Sequence, residues 1–190
     1  MIGESECEKY GDEELVGLVL VNPDYYACLV NRYTSALRRY VVRLGCTPID
    51  ADDVLQDVFI NAYLHLNDFD RKLKFSSWIY RIAHNQAVSS FRKINSRPTI
   101  ELDDIEPWQE LLMNSCPGIN IDQAILKEKT KHVLDRLDDK YREVLVLKYF
   151  EEKDYAEISD ILKKPMGTIA TLINRAKKQF IKLAEGELLN

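Results

Sequence analysis

Apolar residues recur at steps of three and four along almost the whole chain, and the pattern breaks decisively once. The stretch 98–120 contains Pro98, Pro107, Pro117 and Gly118, five acids, and no Lys or Arg. Proline lacks a backbone donor and clashes with the preceding turn, so it punctuates a chain between elements. It reads as a flexible acidic linker in which Ile100, Leu102, Ile105, Trp108, Leu111 and Leu112 are available for intermittent contacts. The expected fold is therefore all-α, with two small helical domains on either side of that linker. The expected boundaries are an acidic N-terminal extension at 1–20, a first domain at 21–97, the linker at 98–120 and a second domain at 121–185.

Three helices are expected in the first domain. Tyr26, Leu29, Val30, Tyr33, Leu37, Tyr40 and Val41 mark one from Asp24 to about Arg43, ended by Gly45 and Pro48. Asp50 is the expected N-cap of the second, whose stripe is Val54, Leu55, Val58, Phe59, Ala62 and Leu66. Asp52, Asp53, Gln56 and Asp57 lie off the centre of that stripe, and acids in a first turn also suit the helix dipole. A polar, charged loop, Asn67 to Phe75, leads to a third helix capped by Ser76 or Ser77 and running to about Lys93. Its expected buried side is Ile79, Ile82, Ala83 and Ala87, with Phe91 a further candidate, while Arg81, Asn85, Ser89 and Arg92 line up along another side.

The second domain is expected to contain four helices. The first begins near Ile121 and reaches Leu137, the second covers 139–150, and Asp154 caps the third, Tyr155 to Leu162. Lys163, Lys164 and Pro165 make a short turn into the last, from Gly167 to Ala184, with the stripe Ile169, Leu172, Ile173, Ala176, Phe180 and Leu183. Its opposite side presents Thr171, Asn174 and Lys178, flanked by Arg175 and Lys177. Two helices joined this way match a helix-turn-helix, and on periodicity alone an ordinary helical hairpin fits as well.

A net charge of -5 argues at first against nucleic acid, but the charge is unevenly placed. Residues 21–97 carry eleven Lys and Arg against seven acids, whereas residues 1–20 carry six acids and Lys9 alone. Phosphate contacts supply most sequence-independent affinity, so a chain binding DNA unaided would need a larger positive field. This one is expected to borrow its field from a partner. Cys7, Cys28, Cys46 and Cys116 form no Cys-x-x-Cys pair and no spaced set with the three histidines, so free thiols are expected and no metal. With no long apolar run and an acidic N-terminus, neither membrane insertion nor secretion is expected, and the location is cytoplasmic. His84 has no acid and nucleophile in its motif and reads as solvated or DNA-facing; no glycine-rich nucleotide loop is present. No cofactor is expected, and the chain is not read as an enzyme.

Two segments carry a resemblance. ADDVLQDVFINAYLHLNDFDRKLKFSSWIYRIAHNQAVSSFRK (51–93) resembles the promoter-melting domain of the extracytoplasmic-function branch of the sigma factors, in the sigma-70 family. LDRLDDKYREVLVLKYFEEKDYAEISDILKKPMGTIATLINRAKKQF (134–180) resembles their C-terminal domain. The resemblance implies a subunit that directs core RNA polymerase to promoters. Asp52, Asp53, Gln56, Asp57 and Phe59 would meet the coiled coil of the largest-subunit clamp, Phe59 fitting the core stripe equally well, and the flap region is a second implied contact. Near ten bases upstream of the start, Asn67, Asp68, Phe69, Arg71, Lys72 and Lys74 would hold bases extruded from the melted non-template strand. Arg81, Asn85 and Arg92 would grip the duplex fork, and Trp78 either borders the bases or packs in the core.

Near thirty-five bases upstream, the last helix would enter the major groove of duplex DNA. Family members often read Gly-Thr-Val-Lys-Ser-Arg-Leu-x-Arg-Ala where this chain has Ala170 and Leu172 in place of the lysine and second arginine. That leaves Thr168, Thr171, Asn174, Arg175, Lys177 and Lys178, with Lys164 at the turn, to make the contacts. The resemblance also implies an inhibitory anti-sigma protein, and a linker that threads a basic channel or serves solubility alone. A stand-alone helix-turn-helix regulator is the alternative; it would bind a duplex site unaided. A structural adaptor that binds polymerase without reading DNA is a further rival.

Overall fold

The structure is a computed structural model and describes residues 2–94 and 123–188. What was expected of the linker, 98–120, lies outside them. The all-α expectation holds: α1 (Glu4–Cys7), α2 (Asp12–Val19), α3 (Tyr26–Leu44), α4 (Pro48–Leu64) and α5 (Phe75–Ile94) form the first domain. The second holds α6 (Gln123–Arg136), α7 (Asp139–Leu145), α8 (Tyr155–Leu162) and α9 (Met166–Leu188). A π-helical turn, Val146–Phe150, follows α7 within the stretch expected to be one continuous helix.

The first twenty residues do more than extend the chain. α2 buries Leu15, Val16 and Val19 in the core, and the last turn of α3 adds Val41, Val42 and Leu44 to it. Each such side chain contributes about 1.5–3 kcal/mol when taken from water. The acids around α2 work locally: Glu14 accepts the Gly11 N–H, Asp12 accepts from Arg32 and Tyr33, and Glu13 accepts the Phe75 N–H at 2.9 Å. That last bond opens α5, so neither Ser76 nor Ser77 caps it; Ser77 Oγ is buried with no hydrogen-bond partner among the described residues.

Of two further boundaries, the first falls where expected and the second does not. Gly45, at φ 117°, is the left-handed C-cap of α3, where a Cβ would clash. Thr47, not Asp50, caps α4, its hydroxyl oxygen accepting the Asp50 N–H, and Pro48 occupies the first helical turn. Proline is at home there because that turn's N–H groups have no helical acceptor. In the second domain Asp154 caps α8 as expected, in a reciprocal box with Glu157. Ile169, Ile173, Ala176 and Phe180 of α9 are fully buried against α7 and α6.

The cysteines correct the expectation of free thiols. Cys7 and Cys28 are joined by a disulfide, whereas Cys46 is a buried free thiol. Cys116 lies outside the described residues.

Candidate polymerase and promoter-binding site

α4 turns one side outward. Asp52, Asp53, Gln56 and Asp57 are all exposed there. Asp52 is held by Arg38 at 2.9 Å, while Asp53, Gln56 and Asp57 have no such partner among the described residues. Phe59 is half-buried, and its carbonyl accepts the Tyr26 hydroxyl at 2.6 Å, which draws it towards the core stripe. Sequence reasoning missed Ile49, Ile60 and Leu64, which are exposed to 83%, 51% and 66%. With Asp53 and Gln56 they follow steps of three and four down the same side, so apolar contacts alternate with acceptors. The available signal was that none of the three belongs to the buried stripe.

The loop after α4 and the start of α5 carry the cationic group. Asn67, Asp68, Arg71, Lys72 and Lys74 are exposed. Phe69 and Trp78 are not: Phe69 is 6% and Trp78 9% exposed, with their ring centroids 5.3 Å apart and Phe75 5.5 Å from each. The stacking surface expected of them is occupied by one another, and the three rings shape the loop from beneath. Arg71 leans on α2, where a Cβ at Gly17 would come 2.5 Å from its Nη1. Along α5, Arg81 is half-buried and Asn85 exposed; Arg92 falls in the last turn, its side chain outside the described ones.

His84 corrects its expectation. It is buried, and its Nδ1 lies 3.1 Å from the Tyr40 hydroxyl. Burial, aided by the Lys164 charge, pushes its pKa down to about 4, so the ring is neutral near pH 7 and its 3.9 Å approach to Glu143 is not an ion pair.

On α9, Thr168, Thr171, Asn174, Arg175 and Lys178 are exposed. The Thr171 hydroxyl donates to the Gly167 carbonyl at 2.9 Å. Lys177 is half-buried with its ammonium 5.3 Å from the Tyr149 ring centroid. Leu172, where the family often has arginine, packs against the core. Lys164 is half-buried at the turn and accepts the Ser159 hydroxyl on its carbonyl.

These two groups are brought together by a seam in which α5 packs on α8, and α3 on α7 and the π turn. Glu151 is its centre: its carboxylate, 5% exposed, accepts from Arg43 at 2.9 Å and from the Tyr80 hydroxyl at 2.6 Å. The Arg43 guanidinium also lies 4.5 Å from the Phe150 ring centroid, and Lys153 stands over Tyr80. At the rim, Lys74 of the loop reaches Glu157 at 3.2 Å and Asp154 at 3.8 Å. Nothing in the sequence pattern signalled this seam.

Sigma-70 region 2 matches residues 29–97, and Sigma-70, region 4, matches residues 127–180. The ECF RNA polymerase sigma factor SigW of Bacillus subtilis is 33% identical over 163 residues, covering 82% of this chain and 86% of that one. The chain belongs to the extracytoplasmic-function branch of the sigma-70 family. The ECF RNA polymerase sigma-E factor of Escherichia coli is 29% identical over 175 residues, covering 88% of this chain and 85% of that one. Among solved structures, CnrH in complex with the cytosolic domain of CnrY shares the fold at a TM-score of 0.69 and 23% identity, covering 92% of this chain and 97% of that one. RpoE from Bartonella quintana, in complex with the anti-sigma factor NepR, does so at 0.60 and 21%, covering 82% and 94%. This sigma factor directs RNA polymerase to promoters, so core polymerase and promoter DNA are its partners, and the stand-alone regulator is not favoured. Sigma factors in general regulate initiation without catalysing a reaction of their own. No helix among the described residues is long and apolar enough to cross a membrane.

Proposed function

We propose that the outward side of α4 docks this sigma factor on the clamp coiled coil of core polymerase, that the loop 67–75 with α5 holds melted non-template bases, and that α9 reads the upstream duplex while its domain rests near the flap. The observation that carries this is the unpartnered run Asp53, Gln56 and Asp57, flanked by exposed Ile49, Ile60 and Leu64, next to a loop with three exposed cations. Acceptors without partners give register and steering to a basic docking surface, and the apolar residues between them supply contact area. In the loop, base capture falls to Arg71, Lys72, Lys74 and Asn67, because the rings of Phe69 and Trp78 are covered. Guanidinium planes can stack on extruded bases in their place.

The seam implies a change of shape. Promoter elements ten and thirty-five bases upstream lie roughly 85 Å apart at about 3.4 Å per base pair. In the docked chain Lys74 of the capturing loop touches α8, the first helix of the helix-turn-helix. α9, at 23 residues, spans only about 35 Å. The two domains must therefore part before both elements can be read, and docking on polymerase is the event that separates them. By analogy with RpoE in complex with the anti-sigma factor NepR, an anti-sigma protein is the second expected partner.

Reconstitution tests this reading. Core polymerase plus the chain should open promoter DNA, the chain alone should not, and Asp57→Lys should lower recruitment. Tight sequence-specific duplex binding by the chain alone would overturn it.

A further inference from the structure

The Cys7–Cys28 pair has no part in that division of labour. Cys7 ends α1 and Cys28 lies in the first turn of α3, with Cα atoms 5.4 Å apart, ordinary spacing for a disulfide. The two cysteines differ in burial: Cys28 is 2% exposed, whereas Cys7 is half-buried at the edge of the core. α1 buries no residue of its own and is four residues long, too short to persist without an anchor. The segment is also tied by the Arg32 guanidinium, which donates to the carbonyls of Cys7 and Tyr10, by the edge contact of Tyr10 with Tyr25, and by Ile2 and Tyr10, which pack partly against the core. RNA polymerase works where small thiols keep protein thiols reduced, and disulfides formed there are transient and redox-sensing more often than permanent. Cys46 cannot compete for either partner, since burial pushes its thiol up to about 12.

We propose that Cys7 and Cys28 form a reversible thiol–disulfide exchange site whose oxidation state sets whether residues 2–10 are fastened to the promoter-melting domain. In the reducing direction a low-molecular-weight thiolate attacks the Sγ of Cys7, the less buried residue of the pair. The S–S bond breaks, its electron pair leaves on Cys28 Sγ, and that sulfur takes up a proton. A second small thiolate attacks the small-molecule sulfur of the mixed disulfide and expels the Cys7 thiolate, which takes up a proton in turn. The net change is one protein disulfide and two small thiols giving two protein thiols and one small disulfide; oxidation is the reverse, with the small disulfide as oxidant. α2 stays docked throughout because Leu15, Val16 and Val19 are buried, so the released part is α1 and the turn after it. The contacts of α2 with the capturing region, Glu13 on the start of α5 and Gly17 against Arg71, lie outside the released part.

The test uses the full chain equilibrated in glutathione buffers from fully reduced to fully oxidised, trapped with an alkylating agent and mapped by mass spectrometry, with hydrogen exchange in parallel. The Cys7–Cys28 peptide pair should pass from bonded to free across the series. Amides of 2–10 should exchange at least about tenfold faster when it is free, while α2 stays protected. Cys7→Ser should match the reduced chain in every buffer, and it avoids the core position that makes Cys28→Ala a folding risk. A pair that stays bonded in fully reduced glutathione, a bond from Cys7 to Cys116, or unchanged exchange at 2–10 on reduction would each overturn the proposal. No readout depends on polymerase, so its failure is separate from that of the docking reading.

Discussion

On the outer side of α4, Asp53, Gln56 and Asp57 stand in water without a partner among the described residues, while at the seam Glu151 carries both Arg43 and Tyr80 within 2.9 Å. Both places use acids on helical ground, and the environments separate their roles. An exposed carboxylate keeps its hydration and can be removed at little cost to the fold; a buried one holds its neighbours in place and leaves them stranded when lost. The first kind is free to meet another molecule, and the second fixes how the chain meets itself.

The contrast breaks most readily at Glu151. Glu151→Ala removes the carboxylate that accepts from both Arg43 and Tyr80, and a loss of about 3–4 kcal/mol is expected in denaturant unfolding, together with a larger radius of gyration by small-angle scattering. Unchanged scattering would mean that apolar packing alone holds the seam. Next comes pH. His84 has a folded pKa of about 4 against an ordinary 6.5, so the unfolded chain takes the proton first. The stability it supports is whole above pH 6.5 and drains away as pH falls towards 4, by up to about 3 kcal/mol. Burial raises the Glu143 carboxyl, which works in the opposite sense and trims the fall. A pH series on the chain and on His84→Gln should show the slope flattened in the variant.

Smaller effects sharpen the α4 side. Asp57→Lys should weaken polymerase binding by about ten- to a hundredfold, roughly 1.4–2.8 kcal/mol, with the melting temperature unmoved. Asp52→Asn should do less because Arg38 already engages that carboxylate, and equal losses from the two would show that Arg38 lets go on docking. Smallest is Asp154→Ala, which removes the α8 cap at about 1 kcal/mol and should lower thermal stability without opening the seam.

How much of this could be read from the chain follows the range of each interaction. Helices came through because Leu29, Tyr33, Leu37 and Tyr40 repeat a local period, and the Asp154 cap because its partner Glu157 is three residues on. The outward acids of α4 are legible as positions off a stripe, and Ile60 and Leu64 lie off it too, but an apolar residue there carries no charge pattern that points to a partner. Phe69 looked available because it sits in a polar loop, and only the meeting of three rings covers it. His84 shares a helix with Ile79 and Ala83, yet its burial depends on Tyr40 and the second domain. Arg43 and Glu151 are 108 residues apart, and no periodicity reaches that far.

The π turn at Val146–Phe150 has a consequence of its own. Its closing bond runs from the Glu151 N–H to the Val146 carbonyl, five residues back where an α-helix would span four. Every residue in an α-helix advances the azimuth by about 100°, so one surplus residue re-aims whatever follows by that angle. The bearing of the 151 side chain is thus set by arithmetic upstream of it, and shortening that turn by a single residue would point the carboxylate elsewhere with every side chain at the junction still present.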